Sequence, residues 1–429
     1  MPLPRTAYFG VLSLVLAAFP GTLSAQGTWP ADLSRLVVAG DSISAGVQNF
    51  SLEQDQQIHG YASVLAQQAG VPLTLPLVPY PGAPNTLELT SLNPITIVPV
   101  PGTLPAIPRV NPCEQPTNVS VPGVTLGQAL TIKPSPTSST NPVQQWANIV
   151  LGFPNPFGVL AGCKITPTAP ATEIEQAVAL NPTAVITWLG NNDVLVPAMI
   201  GQLSLMTPWD DFAVQYAALL KDLSQTHASL LTANIPDVTL VPFFTPVPAL
   251  AAQFNLPVST VASALHVGQN DFLRPTAVPI AAAILQTHSG SLPALCPAPG
   301  ALQLLTPVVP CVLSASDAAT IRETVDEYNL AIAIESAWYG APTVDIHALI
   351  ENLSQNGYKA DGRLLTTAML GGLFSLDGVH PSNTGYGIIA NAFIDTMNTW
   401  WGTNIKRANI NEIAAHDPLR PPIRLNKQP

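Results

Sequence analysis

The chain has 429 residues, enough for one large domain or two ordinary ones, with 47% hydrophobic and only 10% charged residues. That balance excludes a disordered chain. The formal net charge of -11, with no basic stripe, excludes the phosphate recognition that a nucleic-acid partner would need.

The N-terminus reads as a signal peptide. Arg5 supplies a positive charge, 8–19 is an apolar run too short to span a bilayer comfortably, and Leu23-Ser24-Ala25 ends in small residues suited to cleavage after Ala25. The expectation is 1–25 as a signal peptide and 26–429 as a single domain, secreted or periplasmic. No integral membrane segment is expected after cleavage. The nearest later apolar stretch, 230–252, is broken by Asp237 and four prolines.

An apolar run at 36–39 ending at Gly40 predicts a buried strand and a tight turn, and Tyr61, Val64 and Leu65 predict a helix over 60–69. From about 71 to 170 prolines recur every few residues, so a long insertion with little helix is expected, 121–130 returning to the core. A helix is predicted over 171–180, a strand over 183–189 and a helix over 210–225. That helix carries Phe212, Tyr216, Leu219, Leu220 and Leu223 on one face. A strand over 229–235 follows. A second proline-broken insertion, about 242–313, is expected to be helical near 279–286. A helix over 317–338, a short strand over 343–346 and a final helix over 381–401 complete the chain. Alternating strands and helices indicate an α/β fold, a parallel sheet with helices on both faces.

Cys113, Cys163, Cys296 and Cys311 allow three disulfide pairings. Cys113–Cys163 and Cys296–Cys311 are favoured, because each would staple a Pro-rich segment. Their spacing does not suit paired metal ligands. Asn118-Val119-Ser120 is a glycosylation sequon, a triplet common by chance.

Three short motifs carry chemistry. Gly40-Asp41-Ser42 follows the first strand, placing Ser42 at the strand-end edge where open α/β sheets bind ligands. Alone it also reads as a turn or helix cap. Gly190-Asn191-Asn192-Asp193 follows another strand, and an Asn amide can donate to a developing oxyanion. Asp377-Gly378-Val379-His380-Pro381 precedes the last helix, where a carboxylate can orient an imidazole that takes a proton from serine.

Taken together, in the order Ser, Asn, Asp, His, these motifs resemble the GDSL family of lipases and esterases, also called SGNH hydrolases. The resemblance spans Gly40 to His380, with Ile43 where the family name implies Leu. It implies a three-layer, flavodoxin-like SGNH hydrolase fold with Ser42 as nucleophile, His380 as general base and Asp377 as its orienting carboxylate. The implied oxyanion hole combines the Ser42 N–H, the Asn192 amide and a glycine N–H. Gly123 in Val121-Pro122-Gly123-Val124-Thr125 suits that glycine best, with Gly82 in Tyr80-Pro81-Gly82-Ala83 as its rival. No metal or cofactor is required.

Asp345-Ile346-His347 mimics a second dyad and is a minor rival to Asp377 and His380. His59, His227, His266, His288 and His416 have no convincing partners by spacing. The apolar insertions suit a secreted esterase or lipase acting on a small-molecule or lipid ester. The alternatives are a carbohydrate acetylesterase and a non-catalytic exported binding protein on the same scaffold. The oligomeric state is not read from the sequence.

Overall fold

A computed structural model describes residues 30–93, 95–104, 109–135, 139–152 and 169–422. The signal-peptide expectation and Cys163 lie outside the described residues, so the Cys113–Cys163 pairing does too.

The chain opens with strand β1 (Leu36–Gly40), the one-turn helix α1 (Ser42–Ala45) and helix α2 (Tyr61–Ala69). Helices α3 (Leu126–Thr131), α4 (Pro142–Val150) and α5 (Glu173–Ala179) lead into β2 (Ala184–Trp188). Then come α6 (Asn191–Ile200), α7 (Trp209–Ser224) and β3 (Ser229–Ala233). The second insertion contributes α8 (Val247–Phe254), α9 (Val258–Leu265) and α10 (Ala277–Thr287). The chain closes with α11 (Ala315–Trp338), β4 (Thr343–Val344), α12 (Ile346–Asn356), α13 (Asn383–Trp400) and α14 (Ile410–His416).

The strands form one parallel sheet in the order β1-β2-β3-β4. β1 and β2 are buried along their whole length, which explains their largely apolar sequences, Thr187 being the exception. Their register sets Gly40 opposite Trp188, so both chains leave the sheet at the same edge. The segment 117–121 lies along the outer side of β1. Val38 N donates to Thr117 O (2.9 Å), Val119 N to Val38 O (2.8 Å) and Val121 N to Gly40 O (2.9 Å). Pairing there is parallel, so this segment also ends beside Ser42.

Helices cover both faces, as side-chain alternation along the strands dictates. Trp188 points to the layer of α2 and α13, where the rings of Tyr61 and Phe393 stack with centroids 4.5 Å apart and both touch it. Thr187 and Thr232 are paired and point the other way. Thr232 there bonds to Ser336 of α11 (3.0 Å), and Phe212 of α7 stacks on Tyr328 of α11 at 3.9 Å. No helix among the described residues is long and apolar enough to cross a membrane.

The insertions are more regular than their prolines suggest. In the first, α4 starts because Asn141 accepts from Val143 N and Pro142 sits in the first turn, where its missing N–H does no harm. A hairpin, Leu87–Leu92 with Ile95–Pro99, lies in the same region. The second insertion has its own apolar core, built on residues such as Leu250, Val261 and Leu273, and contains the Cys296–Cys311 disulfide. Helix α6 leaves no amphipathic stripe in the sequence, because Pro197 lies inside it and it is buried on nearly all sides. The helix over 383–400 is not the last. α14 follows it, capped by Asn409 and packed against α13.

Candidate active site

Ser42 begins α1 at the sheet edge. Asp41 caps that helix, its carboxylate accepting from Ile43 N (3.0 Å) and from the Asn191 amide (2.8 Å). One buried carboxylate therefore ties the turn after β1 to the turn after β2. Burial pushes its pKa up to about 6, against the hydrogen bonds from Asn191 and Ile43. Asn118 fixes the same turn from beneath, its amide donating to Ser44 O at 2.8 Å. Asn118 is buried, so the sequon that begins with it is a structural element of the fold.

The turn before α13 brings the other partners. His380 Nε2 lies 2.9 Å from Ser42 Oγ, and His380 Nδ1 lies 2.8 Å from Asp377 Oδ2. Asp377 also accepts from the backbone N–H groups of Phe50 (2.6 Å), Val379 (2.7 Å) and His380 (2.8 Å). Its burial would raise the carboxyl pKa, but the His380 charge and these hydrogen bonds outweigh that and hold it below its ordinary value. Glycine is required at 378. Its φ is +71°, and a Cβ there would stand 2.9 Å from Phe243 N.

Asn49 and Phe50, both with positive φ, are locked to this turn. Asn49 N donates to Ser375 Oγ (2.9 Å), and Leu376 N donates to Asn49 Oδ1 (2.9 Å). From α13, Tyr386 OH donates to Val47 O (2.7 Å) and Asn383 accepts from the Gln48 amide (2.7 Å). These contacts hold the serine turn and the histidine turn in one rigid unit.

Ser42, Gly123, Asn192 and His380 all line one cavity of about 480 Å³. Among the described residues, the N–H groups of Ser42 and Gly123 donate to no protein acceptor. Asn192 gives one amide hydrogen to Val124 O at 2.9 Å, which orients the group and leaves its other hydrogen available. Gly123 adopts φ +75°, and a Cβ there would meet the Trp146 ring at 3.1 Å. Gly82 does not line the cavity and packs instead against Ser51 and Leu52. Asp193 sits behind, accepting from Leu126 N (2.8 Å) and Thr207 Oγ1 (2.6 Å), with burial raising its pKa to about 6.

The rest of the cavity is mainly aliphatic: Leu195, Met199 and Ile200 from α6, and Leu302, Leu304 and Leu305 from the second insertion. Trp146 of the first insertion completes it. The rival dyad does not assemble. Asp345 caps α12 through Ala348 N (3.0 Å) and accepts from Asn234 (2.8 Å), whereas His347 Nδ1 meets Ile235 O at 3.1 Å. Neither residue lines the cavity.

Phe50 and Glu173 have no counterpart in the sequence reading. Phe50 reaches Asp377 across 327 residues of sequence, which no local pattern encodes. Glu173, fully buried at the start of α5, lies near Asp41 and the backbone of Gly40 and Val121. An acidic residue in a first helical turn is common, so the sequence carries no sign of its burial.

The GDSL-like lipase/acylhydrolase family is matched over residues 36–393. None of the curated proteins matches. Among solved structures, the chain is similar to an alpha/beta hydrolase enzyme from the metagenome of Lake Arreo, Spain, at 12% identity and TM-score 0.38, covering 87% of this chain and 99% of that one. It is similar to an acetyl xylan esterase from Geobacillus stearothermophilus at 13% identity and TM-score 0.37, covering 89% and 100%. It is also similar to a lipase/acylhydrolase from Enterococcus faecalis at 11% identity and TM-score 0.34, covering 87% and 100%.

Proposed function

Because the chain belongs to the GDSL-like lipase/acylhydrolase family and is an ester-hydrolysing enzyme, we propose that Ser42 is its nucleophile and that catalysis runs through an acyl-enzyme on that residue. The observation that carries the reading is the unbroken relay Ser42 Oγ–His380–Asp377, with contacts of 2.9 and 2.8 Å. With Nδ1–H given to Asp377, His380 Nε2 accepts the proton as Ser42 Oγ attacks the ester carbonyl. The Ser42 N–H, the Gly123 N–H and the Asn192 amide stabilise the oxyanion. The intermediate then collapses, and the leaving alcohol takes the proton from His380. Water, activated by the same imidazole, attacks the acyl-enzyme and releases the carboxylic acid, restoring Ser42.

The substrate we infer is an ester with an apolar acyl group. The aliphatic side chains facing Ser42 support this, since each buried methylene is worth about 0.8 kcal/mol. We further propose export, supported by the signal-like N-terminus and by the Cys296–Cys311 disulfide, which suits an oxidising compartment.

A fluorophosphonate probe tests the nucleophile. Labelling of the folded protein, lost in Ser42→Ala, is the expected result. A folded protein that stays unlabelled would instead favour the non-catalytic binding reading.

A further inference from the structure

The second insertion reaches the site through the loop between Cys296 and Cys311. The loop's ends pair as an antiparallel hairpin, Leu295–Pro297 with Val308–Pro310, and the disulfide closes it. Its tip delivers Leu302, Leu304 and Leu305 to the cavity that holds Ser42. Leu302 is buried, but Leu304 and Leu305 are 51% and 48% exposed, an unusual state for leucines on a cavity wall. They are apolar surface facing a substrate path, with no protein partner covering their outer half.

The loop is held as a wall. Arg274, itself buried, bridges it to α6, the helix that forms the facing side of the cavity. Its guanidinium donates to Pro310 O (2.9 Å) and Val312 O (2.8 Å) on the insertion, and to Ala198 O (2.7 Å) and Met199 O (2.9 Å) on α6. A cation that satisfies carbonyls on both elements fixes the width between them. At the other end, Gly300 lies against the Phe50 ring, close enough that a Cβ would meet it at 2.5 Å. Phe50 stands edge-on to the His380 ring, with centroids 6.1 Å apart. The loop is thereby registered against both the acyl side and the imidazole.

We propose that this disulfide-closed loop selects substrates by acyl length, with Leu304 and Leu305 contacting the distal methylenes of the acyl chain. The proposal rests on the reading of Ser42 as an esterase nucleophile. A short acyl group ends near Ser42 and does not reach these leucines. A longer one lays methylenes against them, and each methylene so buried raises kcat/KM about fourfold.

The experiment compares p-nitrophenyl acetate with p-nitrophenyl octanoate on the wild type and on the double variant Leu304→Ser/Leu305→Ser. The fluorophosphonate label on Ser42 serves as the check that the site is intact. The octanoate-to-acetate ratio of kcat/KM is expected to fall at least tenfold in the variant. A second measurement uses wild type with the disulfide reduced, where the same ratio is expected to fall as the wall loosens. An unchanged ratio in a labelled variant would overturn the selector while leaving the esterase reading in place. A folded wild type that cleaves neither ester and takes no label would overturn both.

Discussion

The cavity has two sides built by different physics. Ser42, Asn192 and His380 lie on turns locked by buried hydrogen bonds, and Asp377 alone accepts four. The facing wall, from Leu195 round to Leu305, is aliphatic and is shaped by packing. Hydrogen bonds are directional, so a small displacement on the first side removes function. Apolar contact is non-directional and roughly proportional to area, so the second side can change by degrees. A protein divided this way can alter what it accepts without disturbing how it reacts.

That division predicts two signatures. Changes to the polar side should lower all esters by one factor, whereas changes to the wall should tilt the ratio between long and short esters. The largest effect is expected from Ser42→Ala, a loss of roughly 10⁶ in kcat. Asp377→Asn, which keeps the shape but disturbs the imidazole tautomer, should lose roughly 10⁴. Asn192→Ala, which would remove one of the proposed oxyanion donors, should lose roughly 10²–10³ in kcat, with KM little changed. All three are checked by steady-state kinetics on acetate and octanoate esters. A strong tilt in the ratio from Asn192→Ala would break the division, because it would show the amide grading substrates by acyl length.

Gly123→Ala should have a smaller effect. The new methyl is strained at φ +75° and meets Trp146, which is itself held by its indole N–H on Ala83 O at 3.0 Å. The loop must shift and carry the Gly123 N–H with it, so a loss of roughly tenfold in kcat is expected. If kcat is unchanged while the thermal midpoint falls, Gly123 serves only the turn.

The two sides also differed in how far the sequence revealed them. The sheet was legible because β1 is a continuous apolar run ending in glycine and β2 a nearly continuous one with Gly190 two residues beyond it, a pattern set by burial on both faces. Ser42, Asn192, Asp377 and His380 were legible because each sits in a short motif at a strand or helix end. Gly123 was harder to choose over Gly82, since both lie in Pro-Gly turns. Only the parallel pairing of 117–121 along β1 carries Gly123 to the serine. The wall was legible only as composition. Which leucines face Ser42 depends on the Cys296–Cys311 closure and on Arg274 reaching four carbonyls in two elements, and neither leaves a periodic trace.

The smallest expected effect tests a strain stored behind the polar side. Glu173 is buried beside Gly40, at the carboxyl end of β1. Burial raises its carboxyl pKa well above the ordinary value of 4.5, the Asp41 carboxyl adds to the rise, and the backbone of Gly40 and Val121 opposes it. The folded chain therefore holds a proton that the unfolded chain releases above that ordinary value. Below it both states are protonated and the contribution to stability is complete. As pH climbs from there through the raised folded value, the contribution is lost, at up to about 1.4 kcal/mol per pH unit. Glu173→Gln keeps the shape of the neutral acid and removes the titration. Its thermal midpoint should match the wild type near pH 4 and exceed it increasingly towards pH 7, by roughly 1 °C for each kcal/mol in a chain of this length. Acetate hydrolysis should change little, since Glu173 does not line the cavity. A difference in midpoint that stays constant across this range would mean that Glu173 carries no proton into the fold. The polar side would then hold its serine without a buried acid beneath it.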